Sequence, residues 1–272
     1  IHINKLNQMK ILMVGGSGMV GTFISPYISK YHEIKILDLK EPEIDYEFIK
    51  GSVTDEKALK KALDGTDCFI NLTMKNPQGG SSAFQTIEDI IENYELNNKG
   101  LHLLLFTAQK MGIKRGIQTS TMSVHYRDPR SLENNGYYHS EESIHMDTPS
   151  VYGLTKSFGE RICNYFCRWF EMNMIALRIT GPRKKEDWEK QVKSSILDNG
   201  EYNGVPAQDG PNLWVTHEYD LANAYLKSLD YIYKGNGRFD SVFIAGDPEQ
   251  KEHNLSKAKY LLDWEPKMSH KD

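Results

Sequence analysis

Short apolar runs alternate with helical patterns along most of this 272-residue chain. Five runs predict strands: residues 11–14, 33–37, 68–72, 116–120 and 174–178. Between them, Leu and Ala recur at helical spacing, as in residues 58–63 and 101–108. A strand–helix–strand rhythm of this kind predicts a parallel sheet with helices on both faces, and ligands bind at the carboxyl ends of such strands.

The first predicted strand leads directly into a glycine-rich turn. Gly15, Gly18 and Gly21 permit a tight turn, a close approach of the backbone to a ligand, and close packing of the helix that follows. The free N–H groups and positive dipole end of that helix favour a pyrophosphate. Asp38 ends the second strand about 20 residues later, where a carboxylate can bind an adenosine ribose. These features predict a nicotinamide dinucleotide site.

The pattern changes after residue 182. A charged stretch interrupted by Gly and Pro covers residues 183–211, with a predicted helix over 188–197 inside it. A helix over 218–233 and a late strand over 241–245 follow. The expected fold is therefore α/β, with a Rossmann-type doubly wound parallel sheet. We expect an NAD(P)-binding domain over residues 9–182 and a smaller substrate-binding region over 183–272, interleaved with the main domain.

Tyr152 and Lys156 lie at the start of a predicted long helix, and their spacing places the phenol and the ammonium on one helical face. An ordinary phenol keeps its proton up to about pH 10. An adjacent ammonium favours the phenolate, so this pair can serve as an acid and base. Considered alone, the spacing favours an inert surface pair, and the choice depends on the rest of the sequence.

With the glycine turn, Asp38 and residues 120–121 at the end of a predicted strand, the chain resembles the extended short-chain dehydrogenases/reductases. It is most similar to the NAD-dependent epimerase/dehydratase family, over nearly its whole length. This resemblance implies that Tyr152 moves a hydroxyl proton while Lys156 assists and binds the nicotinamide ribose. It also implies that Thr121 holds the reacting oxygen, with Ser120 and Ser123 as alternatives.

Further motifs carry the same resemblance. Residues 94–100 resemble the family's Y-x-x-N-x-x-G, which makes Asn97 the counterpart of an Asn that positions the lysine. Residues 51–55 resemble G-D-[LIV]-x-D, residues 71–74 stand where H-L-A-A is common, and residues 256–267 resemble the closing S-K-A-K-x-L-L-G-W-x-P-K. The implied catalytic set is Tyr152, Lys156, Thr121 and Asn97. The implied cofactor-binding set is Gly15, Ser17, Gly18, Met19, Val20, Gly21, Asp38, Ser52, Val53, Leu72, Thr73, Asn97, Thr119, Tyr152 and Lys156.

The resemblance implies a sugar or nucleotide-sugar substrate, but two motifs depart from the family. Residues 177–182 lack the Asn of L-R-x-x-N-x-x-G-P, and residues 213–220 lack the Arg of R-D-[FY]-[IV]-H-V-x-D, which contacts a nucleotide diphosphate. Residues 152–160 are close to Y-G-L-S-K-A-F-G-E of uronate dehydrogenases, so oxidation of a free sugar acid is an alternative. A non-catalytic NAD-binding sensor or scaffold is a third hypothesis, against which the intact Tyr152 and Lys156 argue.

Composition narrows the choice of partners and location. A net charge of −4 without single-sign blocks disfavours nucleic acid and anionic membranes as partners. The absence of a long apolar run, together with three cysteines, favours a cytoplasmic location without disulfides. His125, His139 and His145 lack metal-ligand spacing, so no metal is expected. Asp38 favours NAD over NADP, although Lys40 nearby could attract the extra phosphate. A homodimer is implied by the resemblance.

Overall fold

The computed structural model describes residues 8–75, 86–125, 140–146, 148, 150–193, 201–202, 205–206, 215–235, 237–251 and 253–268. Its strands are β1 (Lys10–Val14), β2 (Glu33–Asp38), β3 (Glu47–Lys50), β4 (Cys68–Asn71), β5 (Arg115–Thr121), β6 (Asn173–Ile179), β7 (Pro182–Arg183), β8 (Glu201–Tyr202), β9 (Val205–Pro206), β10 (Thr216–His217) and β11 (Phe239–Ile244). Its α-helices are α1 (Met19–Ile28), α2 (Glu56–Leu63), α3 (Ile87–Tyr94), α4 (Leu101–Lys110), α5 (Val151–Phe170), α6 (Lys185–Lys193), α7 (Glu218–Lys234) and α8 (Ser256–Leu262). A π-helical turn, Glu95–Gly100, joins α3 to α4, and a 3₁₀ turn, Met122–Val124, follows β5.

Seven strands form one parallel sheet in the order β11-β6-β5-β4-β1-β2-β3. The chain progresses outward in one direction from β1 to β3 and in the other from β4 to β11. The order therefore reverses between β1 and β4, and a crevice opens there at the carboxyl ends of the strands. This is the Rossmann-type doubly wound sheet predicted from the sequence.

The core has two layers because strand residues alternate between the two faces of the sheet. Ile11 and Met13 pack in the layer that also contains Tyr225 of α7 and Trp264. Leu12 and Val14 pack in the other layer, which is built with residues of α2, α4 and α5. Residues 11–14 are fully buried, so β1 is a central strand covered on both sides. A parallel sheet of this kind needs apolar residues at consecutive positions.

Most predicted elements are present, with shifts at their ends. β4 ends at Asn71 rather than residue 72, and the late strand is β11, which joins the main sheet beside β6. The helix predicted over 188–197 is α6, and residues 194–197 lie outside the described residues. β3 was not predicted, because it is a short edge strand, E-F-I-K, whose residues are only half-buried or exposed.

No helix in the described ranges has the length and apolar character needed to cross a bilayer. Within the same ranges, no cluster of three or more His, Cys, Asp or Glu side chains is placed to hold a metal ion. The cysteines Cys68, Cys163 and Cys167 are buried thiols, and burial raises the pKa of all three.

Candidate active site at the carboxyl ends of the strands

The glycine turn lies between the ends of β2 and β4. Gly15 has φ +80°, which side chains disfavour, and its N–H donates to the Leu37 carbonyl at 2.8 Å. A Cβ on Gly15 would lie 3.0 Å from the Thr73 nitrogen. A Cβ on Gly21 would lie only 2.1 Å from the Gly16 carbonyl oxygen, so α1 packs directly onto the turn.

The start of α1 fits the pyrophosphate of a dinucleotide. Gly18 at the N-cap provides no capping side chain, so the first N–H groups of α1 remain available to an anion. Met19 at the first position is exposed and Val20 is half-buried. The Ser17 hydroxyl is buried and has no hydrogen-bond partner within the described part of the chain. An unpaired buried hydroxyl beside a free helix N-terminus suits a phosphate oxygen.

The Asp38 carboxylate accepts hydrogen bonds from the backbone at the glycine turn and just after β2. One carboxylate oxygen accepts from the Ser17 N–H at 3.0 Å, and the other accepts from the Lys40 N–H at 3.1 Å. Each oxygen has a further lone pair, so the carboxylate can still accept from a ribose hydroxyl. The motif spacing had predicted that Asp38 would lie beside the turn, and the structure brings the two together.

The other expected lining residues surround the same crevice. The Ser52 hydroxyl bonds the Thr54 hydroxyl at 2.9 Å in the turn before α2. Val53 is buried, and its Cγ1 lies 2.5 Å from the position that a Cβ on Gly100 would take. Val53 therefore packs against the π-helical turn rather than facing solvent. Leu72, directly after β4, is also buried.

Lys156 is held by two backbone carbonyls. Its ammonium donates to the Thr73 oxygen and to the Thr119 oxygen, each at 3.0 Å, and only 2% of the residue is exposed. Burial lowers the pKa of Lys156 to about 8, while the nearby Cys163 and Glu160 act in the opposite direction. The ammonium keeps one N–H beyond the two that it donates to the carbonyls.

Tyr152 lies one helical turn before Lys156 on α5, and its hydroxyl donates to the Met74 sulfur at 4.0 Å. Burial raises the pKa of Tyr152 to about 12, and the nearby Thr121 side chain only partly opposes this. The Lys156 nitrogen lies 6.0 Å from the centroid of the Tyr152 ring. In this structure, desolvation therefore outweighs any effect of the Lys156 ammonium on the pKa of the phenol.

Neither Ser120 nor Ser123 takes the place of Thr121. The Ser120 hydroxyl donates to Glu160 of α5 at 2.5 Å and belongs to a buried network with Arg178. Ser123 contributes its N–H, which donates to the Thr121 hydroxyl at 3.1 Å. A Cβ on Gly153 would overlap the Ser123 carbonyl oxygen at 1.9 Å, so this segment packs tightly against α5. Of the three candidates, Thr121 is the one in contact with Tyr152.

Asn97 forms no direct hydrogen bond with Lys156, and the resemblance implies that it positions the lysine partly through water. It lies in the π-helical turn, where its amide donates to the Asn93 side chain at 3.1 Å and to the Thr155 hydroxyl at 3.0 Å. The Asn98 amide donates to the Thr155 carbonyl at 2.7 Å. Asn97 is therefore bonded to α5 at the residue before Lys156.

Two polar residues beneath the site, Tyr225 and Gln118, are not predicted from the sequence. The Tyr225 hydroxyl of α7 shares a 2.6 Å hydrogen bond with the Thr119 hydroxyl, and Tyr225 is fully buried. Gln118 forms a buried side-chain pair with Asn71, which belongs to the motif at residues 71–74. Asn71 is the last residue of β4 and Gln118 lies in the middle of β5, so the pair becomes apparent only from the strand register.

Comparison with known proteins settles the family. The model described as "NAD dependent epimerase/dehydratase family" matches residues 11–235. The chain belongs to this family. The NAD-dependent epimerase/dehydratase family also contains the relatives that the chain resembles in sequence. One, from Bacillus subtilis, is named "Uncharacterized UDP-glucose epimerase YtcB" and is 25% identical over 97% of this chain and 95% of its own length. A uronate dehydrogenase of Pseudomonas syringae pv. tomato is 25% identical over 72% of this chain and 67% of its own.

Solved structures agree on the fold. The UDP-glucose 4-epimerase from Brucella ovis, determined with NAD, has a TM-score of 0.73 at 15% identity, covering 96% of this chain and 94% of the other. The epimerase Mth375 from Methanothermobacter thermautotrophicus also has a TM-score of 0.73, at 19% identity, covering 96% and 88%. Members of this epimerase/dehydratase family therefore share one Rossmann architecture despite low identity.

Proposed function

We propose that this protein is an NAD-dependent oxidoreductase or epimerase that acts on a sugar or nucleotide-sugar by hydride transfer. The observation that carries the proposal is the placement of Tyr152 one helical turn from Lys156, whose ammonium is bonded at the carboxyl ends of β4 and β5, near Thr121 and the glycine turn. Family membership supplies the reaction class, which includes epimerases, dehydratases and dehydrogenases.

The proposed roles follow from the chemistry of each side chain. NAD, when bound, supplies the group that accepts or returns a hydride. The Tyr152 hydroxyl donates or accepts the proton of the substrate oxygen, and the Thr121 hydroxyl holds that oxygen in place. The remaining N–H of Lys156 is free to bind a ribose hydroxyl. Asn97 supports the lysine indirectly through Thr155.

NAD is proposed over NADP. The Asp38 carboxylate beside the glycine turn would repel the extra phosphate of NADP and can bind the ribose hydroxyl of NAD. Gly15, Ser17, Gly18, Met19, Val20 and Gly21 are proposed to hold the pyrophosphate, with Ser52, Val53, Leu72, Thr73 and Thr119 lining the crevice.

A uronate-type dehydrogenase that oxidises a free sugar acid is the second candidate. It is favoured by residues 152–160 and by the uronate dehydrogenase among the relatives. Thr180, where the family's substrate-binding Asn motif departs, is buried and shares a 2.8 Å hydrogen bond with Thr216. Loops at residues 76–85, 126–146 and 183–211 are expected to determine the substrate, and residues 76–85 and 126–139 of these lie outside the described residues.

The deciding experiment follows reduced nicotinamide by absorbance with purified protein, excess NAD or NADP, and a panel of free uronates, aldoses and UDP- or dTDP-sugars. Sustained accumulation of NADH with a free sugar acid would identify a dehydrogenase and reject the epimerase. Conversion of a nucleotide-sugar to its isomer without net NADH would identify an epimerase. If no sugar is converted, both enzymatic proposals fail and a sensor or scaffold remains.

We also propose that the protein is a homodimer. α3 and α5 expose a set of large apolar side chains, which we call the α3–α5 face: Ile87, Ile91, Tyr94, Phe158, Tyr165 and Trp169. The rings of Tyr94 and Phe158 lie 6.5 Å apart, so the exposed groups of the two helices are continuous. Contiguous apolar surface of this kind is typical of an interface.

A further inference from the structure

Lys156 depends on the separation of two strand ends. Its two acceptors are the carbonyls of Thr73, just after β4, and Thr119, near the end of β5. Both distances are 3.0 Å, so a displacement of either strand end by a few tenths of an ångström weakens a bond to the ammonium. Other contacts must therefore hold the ends of β4 and β5 at a fixed separation.

A chain of side-chain bonds connects the same two residues. Thr73 donates its hydroxyl to the Asn71 oxygen at 2.7 Å, and the Asn71 amide donates to the Gln118 oxygen at 2.9 Å. The Gln118 amide then donates to the Thr119 carbonyl at 3.0 Å. With the Lys156 ammonium, the bonds close a ring across β4 and β5.

Asn71 and Gln118 are buried at positions where apolar side chains could pack in the core. Asn71 is 1% exposed and Gln118 is fully buried, and the two face each other in the β4–β5 register. The preceding pair in that register, Ile70 and Ile117, is apolar. Burying two amides contributes little stability relative to an apolar pair of the same shape. Their presence points to a role other than stability.

We propose that the Asn71–Gln118 pair positions Lys156 by fixing the separation of the two carbonyls that hold its ammonium. The pair does not reach a substrate, so both are positioning residues that act through Thr73 and Thr119. The catalytic consequence rests on the proposed function, because the orientation of Lys156 matters for turnover only if the protein is an enzyme.

The first test compares turnover of Gln118→Met, Asn71→Leu and the double variant with that of the wild type. Each single change breaks the ring, so kcat should fall about tenfold or more while KM changes little. The double variant should be no worse than either single one, because both changes break the same connection. It also replaces both amides with apolar groups, so it remains informative if a single variant folds poorly.

Thr107→Val is the matched control. It removes a buried 2.7 Å hydrogen bond to the Leu103 carbonyl on α4, away from the site. Its kcat should equal that of the wild type. Unchanged kcat in the bridge variants, additive losses in the double variant, or an effect confined to KM would each overturn the proposal.

The second test needs neither cofactor nor turnover. The carbon-13 signal of Lys156, assigned with Lys156→Met, reports its titration in protein with labelled lysine. If the amide pair holds the carbonyls in place, Gln118→Met weakens a bond to the charged ammonium, and the pKa of Lys156 should fall by about one pH unit. An unchanged or raised pKa would mean that Gln118 only competes for the Thr119 carbonyl, and the proposal would be wrong.

A change in the pKa of Lys156 can be attributed to the loss of the amide pair, because the variants alter no titratable group near the lysine. The titratable neighbours of Lys156 on α5 are Tyr152, Glu160 and Cys163, and Tyr225 of α7 lies near Tyr152, which raises the pKa of Tyr225. All four are unchanged in the variants. If the wild type converts no sugar, the proposed function fails, and the lysine titration still decides whether the pair positions Lys156.

Discussion

Burial raises the pKa of Tyr152 and lowers the pKa of Lys156, and in both cases it favours the uncharged form of the side chain. The pKa of Tyr152 rises to about 12 and that of Lys156 falls to about 8. At pH 7 the phenol is therefore protonated and the lysine is mostly charged. Above pH 8 the lysine loses its proton and with it the charge that would stabilise a phenolate. At pH 7, where its phenol is protonated, Tyr152 is therefore better suited to donate a proton than to accept one.

Tyr152→Phe tests the role of the phenol most directly. The change keeps the ring and removes the hydroxyl proposed to move the substrate proton, so kcat should fall about 10²- to 10⁴-fold while affinity for NAD is retained. Steady-state turnover and NAD titration by fluorescence measure the two effects.

Tyr260→Phe is the matched control, because Tyr260 is 86% exposed on α8. Its turnover should equal that of the wild type. Equal turnover by wild type and Tyr152→Phe would instead revive the sensor or scaffold hypothesis.

The sequence could predict those site residues whose relation is local. Tyr152 and Lys156 share a helix, and the glycine turn fixes where Asp38 must lie. Thr121 is preferred over Ser120 only through the resemblance, because adjacent strand residues point to opposite faces and every residue of β5 after Arg115 is buried, so burial gives no phase. Tyr225 lies far along the chain from Thr119, so their contact depends on the tertiary fold.

At the level of elements, a buried ion pair joins β6 to α5. Arg178 bonds both carboxylate oxygens of Glu160, at 3.0 and 2.7 Å, and each residue is under 5% exposed. Glu160 also accepts from Ser120 of β5, and Arg178 donates to the Glu141 carbonyl at 3.1 Å. The Arg178 guanidinium and its partner Glu160 thus connect β5, β6, α5 and the segment at residues 140–146 through hydrogen bonds.

Arg178→Met should destabilise the protein strongly, because it leaves the Glu160 carboxylate buried without its cation. The expected loss in free energy of unfolding is about 3–5 kcal/mol, measured by urea denaturation.

Lys60→Met provides the comparison. It removes an exposed pair with Glu56 on α2, and we expect a loss of at most about 0.5 kcal/mol. If the two variants lose the same stability, the buried pair is not the connection described here.

Element prediction succeeded where periodicity was strong and failed where tertiary contacts decide. β1, β2 and β6 are mainly apolar runs bounded by polar residues, which identifies them without further information. α3, by contrast, exposes Ile87 and Ile91, so its apolar positions do not mark a core-facing side. The π-turn at Glu95–Gly100 depends on packing of Gly100 against Val53, which no local pattern encodes.

For the whole molecule, the α3–α5 face leads to a prediction about assembly. Trp169 is 66% exposed and Ile91 is 57% exposed, and burying such groups between two copies stabilises an association. We expect sedimentation equilibrium to give twice the chain mass for the wild type. The double variant Ile91→Glu/Trp169→Glu should sediment as a monomer at micromolar concentration, because carboxylates would be buried at the interface.

Tyr260→Glu, at an exposed aromatic residue on α8 outside this face, should leave the assembly unchanged. A wild type that sediments as a monomer, or a charged variant that remains a dimer, would contradict the prediction.

The place of β11 in the sheet has a consequence for synthesis of the chain. β11 pairs in parallel with β6, but β7 to β10, α6 and α7 are made between them. While these segments emerge from the ribosome, β6 is the outermost strand of the sheet. The backbone edge of this strand, which carries the apolar residues Met174, Ile175 and Leu177, then has no neighbouring strand to pair with. An open apolar edge invites association with other nascent chains. Addition of β11 closes that edge, so the period of greatest aggregation risk ends only when residue 244 is available to fold.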